Sequence, residues 1–93
     1  MKRLLIQSTA FGRAVKRLRK KNPSILPAIH QAVTTLAEDA FDSRLRTHKL
    51  KGDLAGLWAC SAGYDLRIVF EFVQHEGAEA ILLQTVGTHD EVY

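Results

Sequence analysis

The sequence predicts an α+β domain in which an N-terminal strand and a two-helix hairpin pack on one face of a mostly antiparallel β-sheet. Three observations predict it. Residues 10–38 carry apolar side chains at helical steps of three and four, interrupted once at Asn22-Pro23. Residues 57–86 hold two apolar strand-like runs around a glycine-containing turn. The chain has 93 residues, enough for one hydrophobic core, so residues 1–93 are read as a single domain.

The first element is a short strand from Arg3 to Ser8, with Leu4 and Ile6 on one side and Arg3, Leu5 and Gln7 on the other. Ser8 or Thr9 then caps a helix over Ala10 to Lys21. Phe11, Ala14, Val15 and Leu18 form its apolar stripe, while Arg13, Lys16, Arg17, Arg19, Lys20 and Lys21 make the rest strongly cationic. Pro23 ends this helix, because a residue before proline is pushed out of the helical region. A second helix runs from near Ser24 to about Glu38 and tolerates Pro27 in its first turn. Its stripe is Ile25, Ile29, Ala32 or Val33, and Leu36, with His30 at the boundary. Asp39 to Asp53 shows no period and reads as a loop leading into the sheet. Leu57 to Ala62 is a strand holding Trp58 and Cys60, both read as packing residues.

The next strand, Asp65 to Val73, alternates. Leu66, Ile68, Phe70 and Phe72 face one way, and Asp65, Arg67, Val69 and Glu71 the other. Gln74 to Ala78 turns the chain, with His75 at the tip, and Ala80 to Val86 returns as the second half of a hairpin. If the Leu66 set packs against the helices, Arg67 lies on the uncovered face.

An apolar fraction of 46% with 25% charged residues is that of a soluble globular protein. No apolar run approaches the roughly 20 residues that cross a bilayer, and Leu4-Leu5-Ile6 is too short for the core of a signal peptide. A cytoplasmic protein without a membrane partner is therefore expected. Cys60 is the single cysteine, so neither an internal disulfide nor a cysteine-rich metal cluster is expected. The charge is unevenly placed. Residues 1–51 hold 12 Lys or Arg against three acids, a net of +9, whereas residues 52–93 hold Arg67 against seven acids, a net of −6. A basic half of this kind suits a polyanion or a strongly acidic partner.

The patterns GxxxxGK[ST], GxGxxG, HExxH and GxSxG are absent, which leaves nucleotide hydrolysis, dinucleotide binding, zinc proteolysis and lipase-type chemistry without support. What the C-terminal half does contain is the set of groups that cleave RNA without a metal or cofactor. A base must take the 2′-hydroxyl proton, a cation must steady the phosphorane, and an acid must protonate the departing oxygen. His48, Asp65, Arg67, His89 and Tyr93 are residues of those types. Lys49 and Lys51, two apart, would share a face and address neighbouring phosphates, with Arg44, Arg46, Lys16 and Lys20 as further RNA-binding cations.

The residues His48-Lys49-Leu50-Lys51-Gly52, Leu54, Gly56, Asp65-Leu66-Arg67-Ile68-Val69-Phe70, Gly87-Thr88-His89 and Glu91-Val92-Tyr93 carry a resemblance. From Leu45 onward the sequence resembles the RelE/ParE superfamily of type II toxins, and within it the YafQ-type messenger RNA interferases. The resemblance implies a RelE-like fold and a ribosome-dependent endoribonuclease that cleaves mRNA, contacts 16S rRNA through its basic helices and is silenced by a cognate antitoxin. It assigns His48 and His89 to acid–base work, Asp65 to that network or to orienting a histidine, Arg67 to the scissile phosphate, and Tyr93 to the C-terminal aromatic of RelE-like members. The sequence departs at Ser61, where YafQ-type toxins carry another histidine. Serine does not shuttle protons near pH 7, so either His48 and His89 suffice or the mechanism leans towards the RelE style. Two other readings stand beside this one: a ParE-like toxin that inhibits DNA gyrase without catalysis, and a nuclease-dead binding module.

Overall fold

A computed structural model describes residues 2–63 and 65–93. It contains β1 (Leu4–Gln7), α1 (Thr9–Lys21), α2 (Ile25–Glu38), β2 (His48–Lys49), β3 (Trp58–Ser61), β4 (Leu66–His75), β5 (Ala78–Thr88) and α3 (His89–Val92). The strands form one sheet in the order β1-β5-β4-β3-β2. Among the described residues only β1 runs parallel to its neighbour: it lies beside β5, while the two helices that follow it carry the chain to β2 at the opposite edge.

The helical hairpin forms where the apolar periodicity places it. Ser8 caps α1 by accepting the Phe11 N–H at 3.0 Å, and its own hydroxyl donates to the Gln84 carbonyl at 2.9 Å, so the cap also fastens α1 to β5. Asn22 closes α1 and its side chain receives the Ser24 hydroxyl at 2.6 Å, so one residue ends one helix and steadies the start of the next. Phe11, Ala14 and Leu18 from α1 meet Ile29, Ala32 and Leu36 from α2 over Cys60, Ile68, Phe70, Ile81, Leu83 and Val86 of the sheet. Between the two α2 positions left open, Ala32 is the buried one and Val33 packs partly exposed at the rim. Full burial of side chains such as Phe11, Leu36 and Phe70 contributes about 1.5–3 kcal/mol each.

Two features of the sheet differ from the sequence reading. On β5 the core residues Ile81, Leu83 and Val86 are spaced by two and then three, which a regular strand cannot place on one face. The register shifts between Val69 and Phe70, so that Val69 pairs with Thr85 and Phe70 with Leu83, and Gln84 stands opposite neither. This irregularity returns Val86 to the helix side. The hairpin is also tighter than the Gln74-to-Ala78 turn: β4 continues to His75 and pairs it with Ala78, leaving Glu76 and Gly77, both at positive φ, as a two-residue turn.

Residues 39–53 are not a plain loop. They contain two 3-10 turns, Ser43–Leu45 and Gly52–Leu54, flanking the two-residue strand β2, which lacks a strand's length of alternation because it pairs only with Trp58 and Ala59. At the other end, β4 starts at Leu66, so Asp65 precedes the strand rather than belonging to it.

Candidate active site

The face of the sheet away from the helices is reached by His48, Ala59, Val69 and Arg67, as the registers His48↔Ala59 and Ala59↔Val69 and the two-residue step from Val69 to Arg67 require. Arg67 is half-buried, and one of its guanidinium nitrogens donates to the Leu66 carbonyl at 3.0 Å. It stands between Ser61 on β3 and Gly87 on β5. Serine and glycine are small neighbours, and they leave the guanidinium room above the sheet.

His48 is oriented by the backbone just before it. Arg46 closes the first 3-10 turn in the left-handed region, at φ 53°, and turns its carbonyl to within 3.0 Å of His48 Nδ1. A carbonyl can only accept, so Nδ1 carries the proton and Nε2 of the neutral ring keeps a free lone pair. Tyr93 Oη lies 3.4 Å from that Nε2, within reach to donate to it.

Tyr93 arrives there because α3 folds the C-terminus back over the sheet. Thr88-His89-Asp90-Glu91 is a capping box in which Glu91 Oε1 accepts the Thr88 N–H at 2.8 Å. That hydrogen bond holds the Glu91 carboxyl below its usual range, with Arg17 and Lys21 of α1 adding attraction. Arg17 reaches Glu91 at 3.5 Å and so ties the basic helix to α3. Gly87 admits the return: a Cβ there would lie 3.1 Å from Glu91 Cβ and 3.2 Å from Val92 Cγ1. The resulting turn sets His89 edge-on to Tyr93, with ring centroids 4.6 Å apart, and Asp90 Oδ1 3.6 Å from His89 Nδ1. Partial burial pushes the Tyr93 phenol above its ordinary pKa, partly countered by the positive charge of Arg67.

Three of the five catalytic candidates, His48, His89 and Tyr93, therefore form one contiguous group, and Arg67 acts on it electrostatically. Asp65 is exposed ahead of β4, and among the described residues no hydrogen bond or ion pair joins it to Arg67 or to either histidine. The cations divide as well. Lys49 pairs with Trp58, and its ammonium lies over the indole at 5.4 Å, which puts it on the opposite sheet face from His48. Lys51 is exposed at the start of the second 3-10 turn. Arg44 is held by Asp42 through bonds of 3.0 and 2.9 Å at the sheet edge, which lowers the Asp42 carboxyl to about 2. Arg46 contributes its carbonyl to the site while its side chain is exposed, and Lys16 and Lys20 lie exposed on α1. Cys60 is fully buried, as a packing residue should be.

Sequence reasoning overlooked α3, although Thr88-x-x-Glu91 is the pattern of a helix start. It had no signal for the left-handed Arg46, a residue type that rarely adopts that conformation.

The family described as a bacterial toxin of type II toxin–antitoxin systems, YafQ, matches residues 3–93. The chain belongs to the YafQ family of type II toxins. Its fold is that of known YafQ structures. YafQ from Escherichia coli superposes with a TM-score of 0.79 at 16% identity, covering 98% of each chain. The toxin in the E. coli DinJ–YafQ toxin–antitoxin complex gives 0.77 at 17% identity over 100% of this chain and 99% of that one. A metal-bound toxin from Helicobacter pylori gives 0.77 at 26% identity over the whole of both chains. The sequence matches no curated protein. For this YafQ-family chain no helix is long and apolar enough to cross a membrane among the described residues.

Proposed function

We propose that this YafQ-family toxin is a ribosome-dependent endoribonuclease that cleaves mRNA by acid–base catalysis. The observation that carries the proposal is the meeting of His48, His89 and Tyr93 beside Arg67 on the open face of the sheet. In this reading Nε2 of His48, the acceptor nitrogen of the neutral ring whose Nδ1–H faces the Arg46 carbonyl, takes the 2′-hydroxyl proton. The oxygen attacks the adjacent phosphorus, Arg67 neutralises the charge growing on the phosphorane, and His89 returns a proton to the leaving 5′-oxygen. The products are a 2′,3′-cyclic phosphate and a free 5′-hydroxyl, with the proton balance kept by the two imidazoles. Tyr93 holds the His48 ring and packs between the two histidines. Asp65, exposed ahead of β4, is assigned to the rim of the site.

The reading includes a cognate antitoxin, on the strength of the E. coli YafQ that is bound to DinJ. It also places the exposed cations Lys16, Lys20, Lys49 and Lys51, with Arg44 and Arg46, against mRNA and ribosomal RNA. Induction of the wild-type chain should arrest growth and give in-frame cuts on translated transcripts in a primer-extension map. Substitution His89→Ala or Arg67→Ala should lower cleavage on the order of 10²-fold. Arrest with intact transcripts and broken DNA would overturn the proposal in favour of gyrase inhibition.

A further inference from the structure

β2 covers only the first half of β3. It pairs with Trp58 and Ala59 and stops at His48, where the left-handed Arg46 turns the chain away. Cys60 pairs with Ile68, and the Ala62 N–H donates to the Leu66 carbonyl at 2.9 Å, so these residues direct their backbone groups towards β4. In an antiparallel ladder the residue between them points the other way. The N–H and C=O of Ser61 therefore face a sheet edge that, among the described residues, no strand occupies.

That edge opens into a cavity of about 220 Å³ whose lining includes Ala28, Gln31, Thr35, Arg44, Ser61 and Gly63. Its volume is below the ~300–1,000 Å³ of pockets that enclose a drug-sized ligand. A single ring system fits better than a whole nucleotide. The floor is apolar, and the rim offers donors and acceptors together: the Ser61 backbone, the Gln31 amide, and those guanidinium donors of Arg44 not used on Asp42. An unpaired strand edge also suits an added peptide strand. Here the free edge is a single residue long, because β3 ends at Ser61, which is too short to seat one. Position points the same way. Ser61 and Arg67 are a non-hydrogen-bonded cross-strand pair, whose Cα atoms lie about 4.5 Å apart. The cavity, lined from the α2 side, thus reaches the sheet at Ser61, the cross-strand neighbour of Arg67, whose guanidinium stands on the other face.

We propose that this cavity is a nucleobase pocket that receives the base adjacent to the cut and sets the preference at that position, with Ser61 and Gln31 reading the base edge. The inference rests on the ribonuclease reading given above. Single-stranded RNA is recognised in this manner, by splaying a base out and hydrogen-bonding its edge.

Two variants test it. Gln31→Leu keeps length and helix propensity on an exposed position, and Ala28→Leu fills the cavity. Mapping cut sites across transcripts should show a base bias next to the cut for the wild type. That bias should fall on the order of tenfold in Gln31→Leu. An unchanged bias in Gln31→Leu would overturn the proposal. Binding is tested separately on the purified toxin, with the four nucleoside 5′-monophosphates titrated against its amide resonances. Shifts should concentrate at Gln31, Thr35, Ser61 and Gly63 and vanish in a folded Ala28→Leu. Should the wild type cleave no RNA, the ribonuclease reading fails, and this titration still decides whether the pocket takes a base. No shift at these residues with any of the four, or weakened antitoxin binding in Gln31→Leu with the base bias unchanged, would refute the pocket.

Discussion

His48 illustrates how one backbone conformation fixes a side chain's chemistry. The carbonyl of Arg46 determines which imidazole nitrogen of the neutral ring carries the proton, so Nε2 is left as the acceptor before any substrate arrives. Cys60 shows the opposite case, a reactive group silenced by its surroundings. Burial pushes its thiol from an ordinary 9.0 up to about 12. The folded protein therefore keeps the proton over a range in which the unfolded chain would lose it. Sulfur contributes its full share of stability below pH 9, and that share falls as pH rises from 9 towards 12, because ionisation then favours the unfolded state. Denaturant melts of wild type and Cys60→Ala should differ by a constant amount up to about pH 8. By pH 10.5 the wild type should have lost about 2 kcal/mol relative to the variant, from 1.36 kcal/mol per pH unit. A difference that stays constant to pH 10.5 would show that the thiol is not so protected.

At the scale of elements, the turn and the last helix make separable demands. Glu76 occupies the left-handed region in the β4–β5 turn, and asparagine tolerates that conformation far better. Glu76→Asn should stabilise the protein by about 1 kcal/mol, raising Tm by roughly 4–8 °C in thermal melts, with activity unchanged because the turn is the far end of the hairpin from Arg67. Gly87→Ala should do the reverse. Its Cβ would press on Glu91 and Val92 and displace α3, which carries His89 and Tyr93. Cleavage should fall about tenfold while Tm drops only a few degrees, and equal losses would mean that α3 supports folding rather than the site. These elements also show what was legible in the sequence. The helices and long strands were, because Phe11, Leu18, Ile29 and Leu36, or Ile68 and Phe70, repeat often enough to declare a period. β2 was not, since His48 and Lys49 are too few to alternate. The shifted register at Gln84 was written in the spacing of Ile81, Leu83 and Val86, but reading it requires knowing which residues face the core. The residue types of the site were legible and their grouping was not: Asp65 and Lys49 follow from sequence spacing to faces where the fold leaves them apart from His48.

Over the whole molecule, the charge imbalance of the sequence becomes a direction. The exposed cations of α1 lie on a helix that Arg17 joins to Glu91 of α3, so the most basic surface adjoins the element that carries His89. In the proposed ribonuclease, a polyanion attracted to α1 would thus be brought to the edge of the group formed by His48, His89 and Tyr93. Charge on such a surface acts through counterion release, which makes binding steeply salt-dependent, whereas the imidazoles of the proposed mechanism would act on a bond already in place. The two contributions should separate by experiment. The double substitution Lys16→Ala and Lys20→Ala should weaken ribosome binding and lower the slope of log K against log salt by roughly 1.5, at about 0.7–0.9 for each phosphate that a lysine no longer neutralises. The rate of cleavage at saturating ribosome should change by less than about twofold, because neither lysine touches the reacting atoms. A salt titration that leaves the slope unaltered would mean that the α1 cations are solvated in the complex, and that the polyanion enters over the β2 edge instead.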